Sequence, residues 1–233
     1  MSEPRLFLVP TWTELEWSIR PRLEEWAEVA SYDPIGSADP DAVSRESFVD
    51  RGLEELEQLG WDGFFVVGDT FGTATAVRIA HARRDSVQGI ALGHACLSWD
   101  MDGDRAPVKR ELWHAMAQLM SQDAASFVRH GLTQITQGSY DEDLAHRMVE
   151  RVPSECMHAA WAMIGEHREP MGDLLHELDR PLLLAKHEGC LVFTDEGFED
   201  ARAAFPDART IVVEKPPSAD DDFPGALREL CDG

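Results

Sequence analysis

The chain has 233 residues, 43% hydrophobic and 28% charged, a globular composition suited to one large domain or two small ones. Lysine and arginine number 21 against 44 aspartates and glutamates, giving a net charge of −23. That field repels phosphate backbones and anionic lipid, which argues against nucleic-acid binding and membrane-surface docking. There is no apolar run near the about 20 residues of a membrane-spanning helix. The start, Met1-Ser2-Glu3-Pro4, has acid where a signal peptide would have a basic leader. Cys96, Cys156, Cys190 and Cys231 lie far apart with no CxxC pair, so their spacing offers no zinc site. The expectation is a cytoplasmic protein with free thiols, no metal and no cofactor.

In chain order, Leu6-Phe7-Leu8-Val9 reads as a buried strand stopped by Pro10. Arg20 to Ala30 follows as a helix, with Pro21 in its first turn and Leu23, Trp26 and Val29 at helical spacing. Val29 to Tyr32 turns into a second strand, and Asp33 to Asp41 is a loop rich in Pro, Gly, Asp and Ser. A helix is predicted from about Ala42 to Leu59, then a third strand over Gly63 to Val67, then Gly68-Asp69-Thr70-Phe71-Gly72 and an alanine-rich helix to about Arg84. Val87 to Leu92 is a fourth strand, ending near Gly93-His94. From about Pro107 to Leu178 the pattern is helical throughout. Leu182 to Ala185 and Thr210 to Val213 then read as strands, with helices at Glu196 to Phe205 and Pro224 to Leu230.

Short apolar strands alternating with helices predict an α/β fold, a doubly wound, mostly parallel sheet of about six strands covered on both faces. The helical stretch interrupts it as an insertion. Open parallel sheets bind ligands at the carboxyl ends of their strands, which directs attention to Pro10-Thr11-Trp12, to 68–72, to Gly93-His94 and to Lys186 through Cys190.

The motif Gly68-Asp69-Thr70-Phe71-Gly72 sits between a strand and a helix. Alone, it fits a simple glycine-bounded turn. In its context the chain resembles the α/β-hydrolase superfamily nearly end to end. Leu6 to Trp17 looks like that family's first core strand and oxyanion loop. Tyr32-Asp33-Pro34-Ile35-Gly36 looks like the loop after its next strand, 68–72 falls on its nucleophile elbow, and Leu182 to Phe193 on the segment carrying its acid. With Leu6 so near the start of the sequence, the family's first antiparallel hairpin is not expected in it. The resemblance implies a core of residues 1–106 and 179–233 and a helical cap of residues 107–178.

Carried over residue by residue, the family's chemistry departs from its pattern. Thr70 stands where the nucleophile is usually serine, and Pro10-Thr11 where the oxyanion loop has His-Gly. The acid falls on Cys190, with Glu188 two residues earlier, and none of the nine histidines lies beyond His187. The order nucleophile, acid, histidine cannot be met. The amides of Trp12 and Phe71 would still point at a carbonyl oxygen.

Other candidates follow from position. His94, His187 and Glu188 end strands at the site and are candidate proton carriers, against readings as a rim histidine and as ordinary loop polarity. Asp100 or Asp102 could partner a histidine. Asp69 reads as a cap for the following helix more readily than as a proton carrier, and Cys96 and Cys190 as small buried thiols more readily than as nucleophiles. Trp113, Met116 and Trp161 in the insertion either line an apolar pocket or pack helices.

The expected function is therefore that of an α/β-hydrolase-fold protein with a non-standard or lost triad, acting on or binding a small, mostly apolar carbonyl compound of ester or thioester type. Two rivals stand beside it. One is a non-hydrolytic lyase, cyclase or isomerase on the same fold. The other is an inactive pseudoenzyme that binds a ligand or a partner protein. Fold alone does not choose among them.

Overall fold

A computed structural model describes residues 3–36, 39–94, 110–135, 142–165, 171–188, 190 and 194–233. Asp100, Asp102 and Cys96 lie outside the described residues, as does the side chain of Trp113.

The elements in order are β1 (Arg5–Val9), α1 (Arg20–Leu23), β2 (Glu28–Ser31), α2 (Arg45–Leu59), β3 (Phe64–Asp69), α3 (Gly72–Ala82) and β4 (Val87–Gly93). Then come α4 (Arg110–Gln122), α5 (Ala124–Ile135), α6 (Glu142–Arg151), α7 (Ser154–Gly165), α8 (Met171–Leu178), β5 (Leu182–His187), α9 (Asp195–Ala204), β6 (Arg209–Val213) and α10 (Phe223–Asp232). The six strands form one sheet in the order β2-β1-β3-β4-β5-β6, and every neighbouring pair is parallel. The reversal on either side of β1 and β3 makes it doubly wound, as the alternating pattern predicts.

Strand parity sorts the core into two faces. Phe7 and Val9, Phe64 and Val66, Ile90 and Leu92, and Leu182 and Leu184 enter one cluster with α2, α3, α8 and α9. Their alternates Leu6 and Leu8, Phe65 and Val67, Ala91, and Leu183 and Ala185 enter another with α1 and α10. Because both faces are covered, β3 and β5 are buried along their whole length, which is why they read as continuous apolar runs.

Two predicted helices differ in extent. The helix over 20–30 is a single turn, Arg20–Leu23, because Glu28 to Ser31 pairs in register with Arg5 to Leu8 and takes the chain into the sheet. Val29, counted on the helix's apolar stripe, instead serves as a strand residue, which suits its β-branched side chain. The next helix starts at Arg45 and not Ala42, since Pro40–Ala42 forms a separate 3-10 turn and Ser44 supplies a capping box with Ser47. It ends at Gly60, whose φ of +62° suits glycine.

Helices α4 to α7 build a third cluster of Met120, Phe127, Met148, Met157 and Trp161, which also takes in Trp12, Phe71 and Cys190 from the strand ends. Helix α8 behaves differently: Met171, Leu175 and Leu178 pack with α3 in the sheet-facing core.

Candidate functional site

The elbow forms at the end of β3. Thr70 has φ +54°, the left-handed region, and α3 begins two residues later with Phe71 as its N-terminal flank. For a β-branched residue this costs on the order of 1–3 kcal/mol, so the surroundings must hold it. They do so from three sides. The Thr70 amide donates to the Gly93 carbonyl at 3.0 Å, and the Thr73 hydroxyl donates to the Thr70 carbonyl at 2.8 Å. The glycines remove obstacles: a Cβ on Gly68 would lie 2.6 Å from the Ala76 Cβ, and one on Gly72 would lie 2.4 Å from the Val9 carbonyl oxygen. Among the described residues, the Thr70 hydroxyl makes no hydrogen bond.

The polar centre lies beside the elbow. His94, at the end of β4 with φ +55°, turns its Nδ1 to Asp69 Oδ1 at 2.9 Å and its Nε2 to His187 Nδ1 at 2.5 Å. The His94 amide donates to the Ala185 carbonyl at 2.7 Å, and the other Asp69 oxygen accepts the Ser218 N–H at 3.0 Å. All three side chains are buried. Burial opposes charge on both Asp69 and His94, but their mutual attraction outweighs it. Asp69 stays below the ordinary carboxylate range, and His94 rises to about 9. Burial, with the His94 charge next to it, pushes His187 down to about 4. The set is a buried ion pair with a neutral imidazole behind it.

Asp69 is thus not a helix cap. Its carboxylate is committed to His94 and Ser218, and α3 starts with no side-chain cap. The ring partner of His187 is His94; Glu188 is exposed and its amide donates to the Val213 carbonyl. Cys190, half-buried on the loop after β5, completes the group. One ligating atom each from His94, His187 and Cys190 lies within 4.8 Å of the others. The expectation of no metal geometry came from cysteine spacing, and it missed a cluster whose members are brought together only by adjacent strands.

The Trp12 amide is not open to a substrate oxygen. Glu16 turns back and accepts the N–H groups of Thr11 at 2.8 Å, Trp12 at 2.6 Å and Thr13 at 3.2 Å. The sequence carried a signal for this, since Thr13-x-x-Glu16 is a capping box, and the structure shows both of its bonds. Asp33 accepts the Thr13 hydroxyl at 3.1 Å, and Arg151 of α6 reaches Asp33 Oδ2 at 2.7 Å and Glu14 at 3.1 Å, tying the helical layer to this loop. Burial lifts Glu16 to about 7, against the downward pull of the three amides.

The folded state therefore holds the Glu16 proton more tightly than the unfolded chain. Its contribution to stability is complete below the ordinary value of 4.5 and is lost as pH rises through about 7. Compared with Glu16→Gln, the native chain should lose on the order of 2 kcal/mol between about pH 5 and about pH 8, allowing for partial exposure. Urea unfolding at the two pH values measures this, and parallel pH profiles would show that the amides, not burial, govern the group.

Above the elbow the rings close together. Trp161 of α7 stacks on Trp12 at 5.9 Å and meets Phe71 edge-on at 5.5 Å and Phe127 of α5 at 4.8 Å. Met116 packs partly buried against the same cluster, while Trp113 lies on α4 with its side chain outside the description. The Thr70 elbow, the Trp12 loop, His94, His187 and Cys190 thus gather at the carboxyl ends of β1, β3, β4 and β5.

No family model and no curated protein matches the chain. Solved structures do. Bromoperoxidase from Bacillus anthracis superposes with a TM-score of 0.85 at 13% identity, covering 100% of this chain and 93% of that one. An esterase from Exiguobacterium antarcticum gives 0.84 at 16% identity, with the same coverages. The enol-lactonase from Burkholderia xenovorans gives 0.77 at 15%, again over 100% and 93%. With six parallel strands, an elbow after β3 and helices on both faces, the chain has the α/β-hydrolase fold.

Proposed function

We propose that this protein binds and acts on a small, mostly apolar carbonyl compound, held between the strand ends and a cap of α4 to α7, without acylating Thr70. The observation that carries this reading is the Thr70 hydroxyl, which meets no base among the described residues, while a buried Asp69–His94–His187 chain lies one residue away from it in sequence. A hydroxyl without an adjacent base is a poor nucleophile. The polar work at the site falls to the histidine pair, and Thr70 serves as a hydrogen-bonding surface. The structural neighbours, an enol-lactonase and an esterase among them, support a carbonyl compound as the ligand class. The rings of Trp12, Phe71, Phe127 and Trp161 support an apolar one.

The occupied Trp12 amide favours a second reading, a non-hydrolytic enzyme or a ligand-binding protein on the same fold. Hydrolysis through a tetrahedral intermediate relies on such donors, and Glu16 has taken this one.

A panel of small esters, thioesters and lactones, screened by thermal shift and tryptophan fluorescence, tests the proposal. Ligands that bind should lose their effect in Thr70→Phe, which puts a bulky ring at the elbow. Any turnover found should survive in Thr70→Ala within about tenfold and fall by about 100-fold or more in His187→Ala. Binding unchanged in Thr70→Phe would place the site elsewhere. Rapid stoichiometric labelling of Thr70 by a fluorophosphonate would overturn the non-covalent reading.

A further inference from the structure

We propose that His94, His187 and Cys190 form a binding site for a zinc-class divalent metal ion. The assignment deepens the function proposed above and rests on it for what the ion acts upon, but the ion's binding is tested without a substrate.

The donor set is the first support. Two imidazoles and a thiol, each offering one ligating atom, lie within 4.8 Å of one another. Nitrogen and sulfur donors of this kind suit zinc. Three protein ligands leave a fourth position for water or a carbonyl oxygen, which is the pattern of catalytic rather than structural zinc sites.

The arrangement around the donors is the second. His94 commits its Nδ1 to Asp69, which fixes its Nε2 as the atom facing His187. A carboxylate behind a histidine is the usual device for orienting a metal ligand. Asp69 is itself held by the Ser218 amide, so the orienting group is positioned before any ion arrives.

The third is the spacing of the two facing ring nitrogens. His187 is 1% exposed, and its Nε2 has no hydrogen-bond partner among the described residues. Its other nitrogen lies 2.5 Å from that of His94. A tetrahedral ion with Zn–N bonds of about 2.0–2.1 Å holds its two nitrogens about 3.3 Å apart, so the rings need separate by less than about 1 Å. Cys190 lies beyond the end of β5, close enough for its side chain to interact with the His94 ring.

The experiment uses the full chain without a polyhistidine tag, stripped by chelator and titrated with Co²⁺ and, separately, Zn²⁺. One Co²⁺ per chain should bind, with intense tetrahedral d–d absorption and a thiolate-to-cobalt charge-transfer band. Zn²⁺ should displace it and raise the melting temperature. In Cys190→Ser the charge-transfer band should disappear, and in His187→Gln affinity should fall by at least 100-fold, with circular dichroism confirming that both variants fold. Absence of stoichiometric uptake by the native chain would overturn the site. So would a charge-transfer band that persists in Cys190→Ser, since another cysteine would then be the ligand. If the metal fails but ligands still bind in a Thr70-dependent way, the proposed function stands without it; if the metal binds and no carbonyl ligand does, the site stands and that function falls.

Discussion

Asp69→Ala should destabilise the fold by about 3–5 kcal/mol, because it removes one half of a buried ion pair and leaves the other half in place. Asp69 and His94 are 5% and 3% exposed, and the Asp69 carboxylate also accepts the Ser218 N–H from the segment before α10. After the substitution His94 keeps its burial but loses the partner that favours its charged form, and the Ser218 amide loses its acceptor. A protein of this size has about 5–15 kcal/mol in total, so the loss is a large share. Denaturant unfolding of Asp69→Ala, His94→Ala and the double variant measures it. The two single losses should exceed the double by about 2 kcal/mol or more, as expected for residues in contact. Additive losses would show that the pairing contributes nothing beyond packing.

The fold was legible because its physics is local. Each strand of the core reads as a short apolar run, and two-sided burial allows nothing else at β3 and β5. Gly68 and Gly72 could be read as elbow residues because close backbone approach demands them, and the structure gives both contacts. Helix α1 misled because Leu23, Trp26 and Val29 keep helical spacing while the pairing of β2 with β1 decides the conformation of Val29. The site was less legible for a different reason. His94 and His187 are 93 residues apart and meet only because β4 and β5 are neighbours. Their positions at strand ends were readable, but their contact was not, nor was the place of Cys190 beside them. Glu16 was the opposite case. Its capping-box spacing was present in the chain, yet it was masked by the expectation that the Trp12 amide faces a substrate.

Gly72→Ala should cost about 3 kcal/mol, the upper end for an overpacked core, and disturb the site as well as the fold. Its Cβ would lie 2.4 Å from the Val9 carbonyl oxygen and 3.1 Å from the carbonyl carbon and oxygen of Pro10. All three are backbone atoms, so no side chain can rotate out of the way. The only relief is to move the start of α3 away from the end of β1. That movement shifts Thr70 relative to the Trp12 loop, the two sides of the proposed ligand site. Two other glycines calibrate the measurement. Gly60 has open space around it but φ +62°, so Gly60→Ala should cost about 1–2 kcal/mol from backbone strain alone. Gly225 has open space and lies within α10, so Gly225→Ala should stabilise by about 0.5–1 kcal/mol. Thermal and urea unfolding of the three variants should therefore rank them Gly72→Ala, Gly60→Ala, Gly225→Ala from least to most stable. Near-native stability in Gly72→Ala would mean that α3 and β1 do not approach closely, and the elbow would lose the contact that sets its geometry.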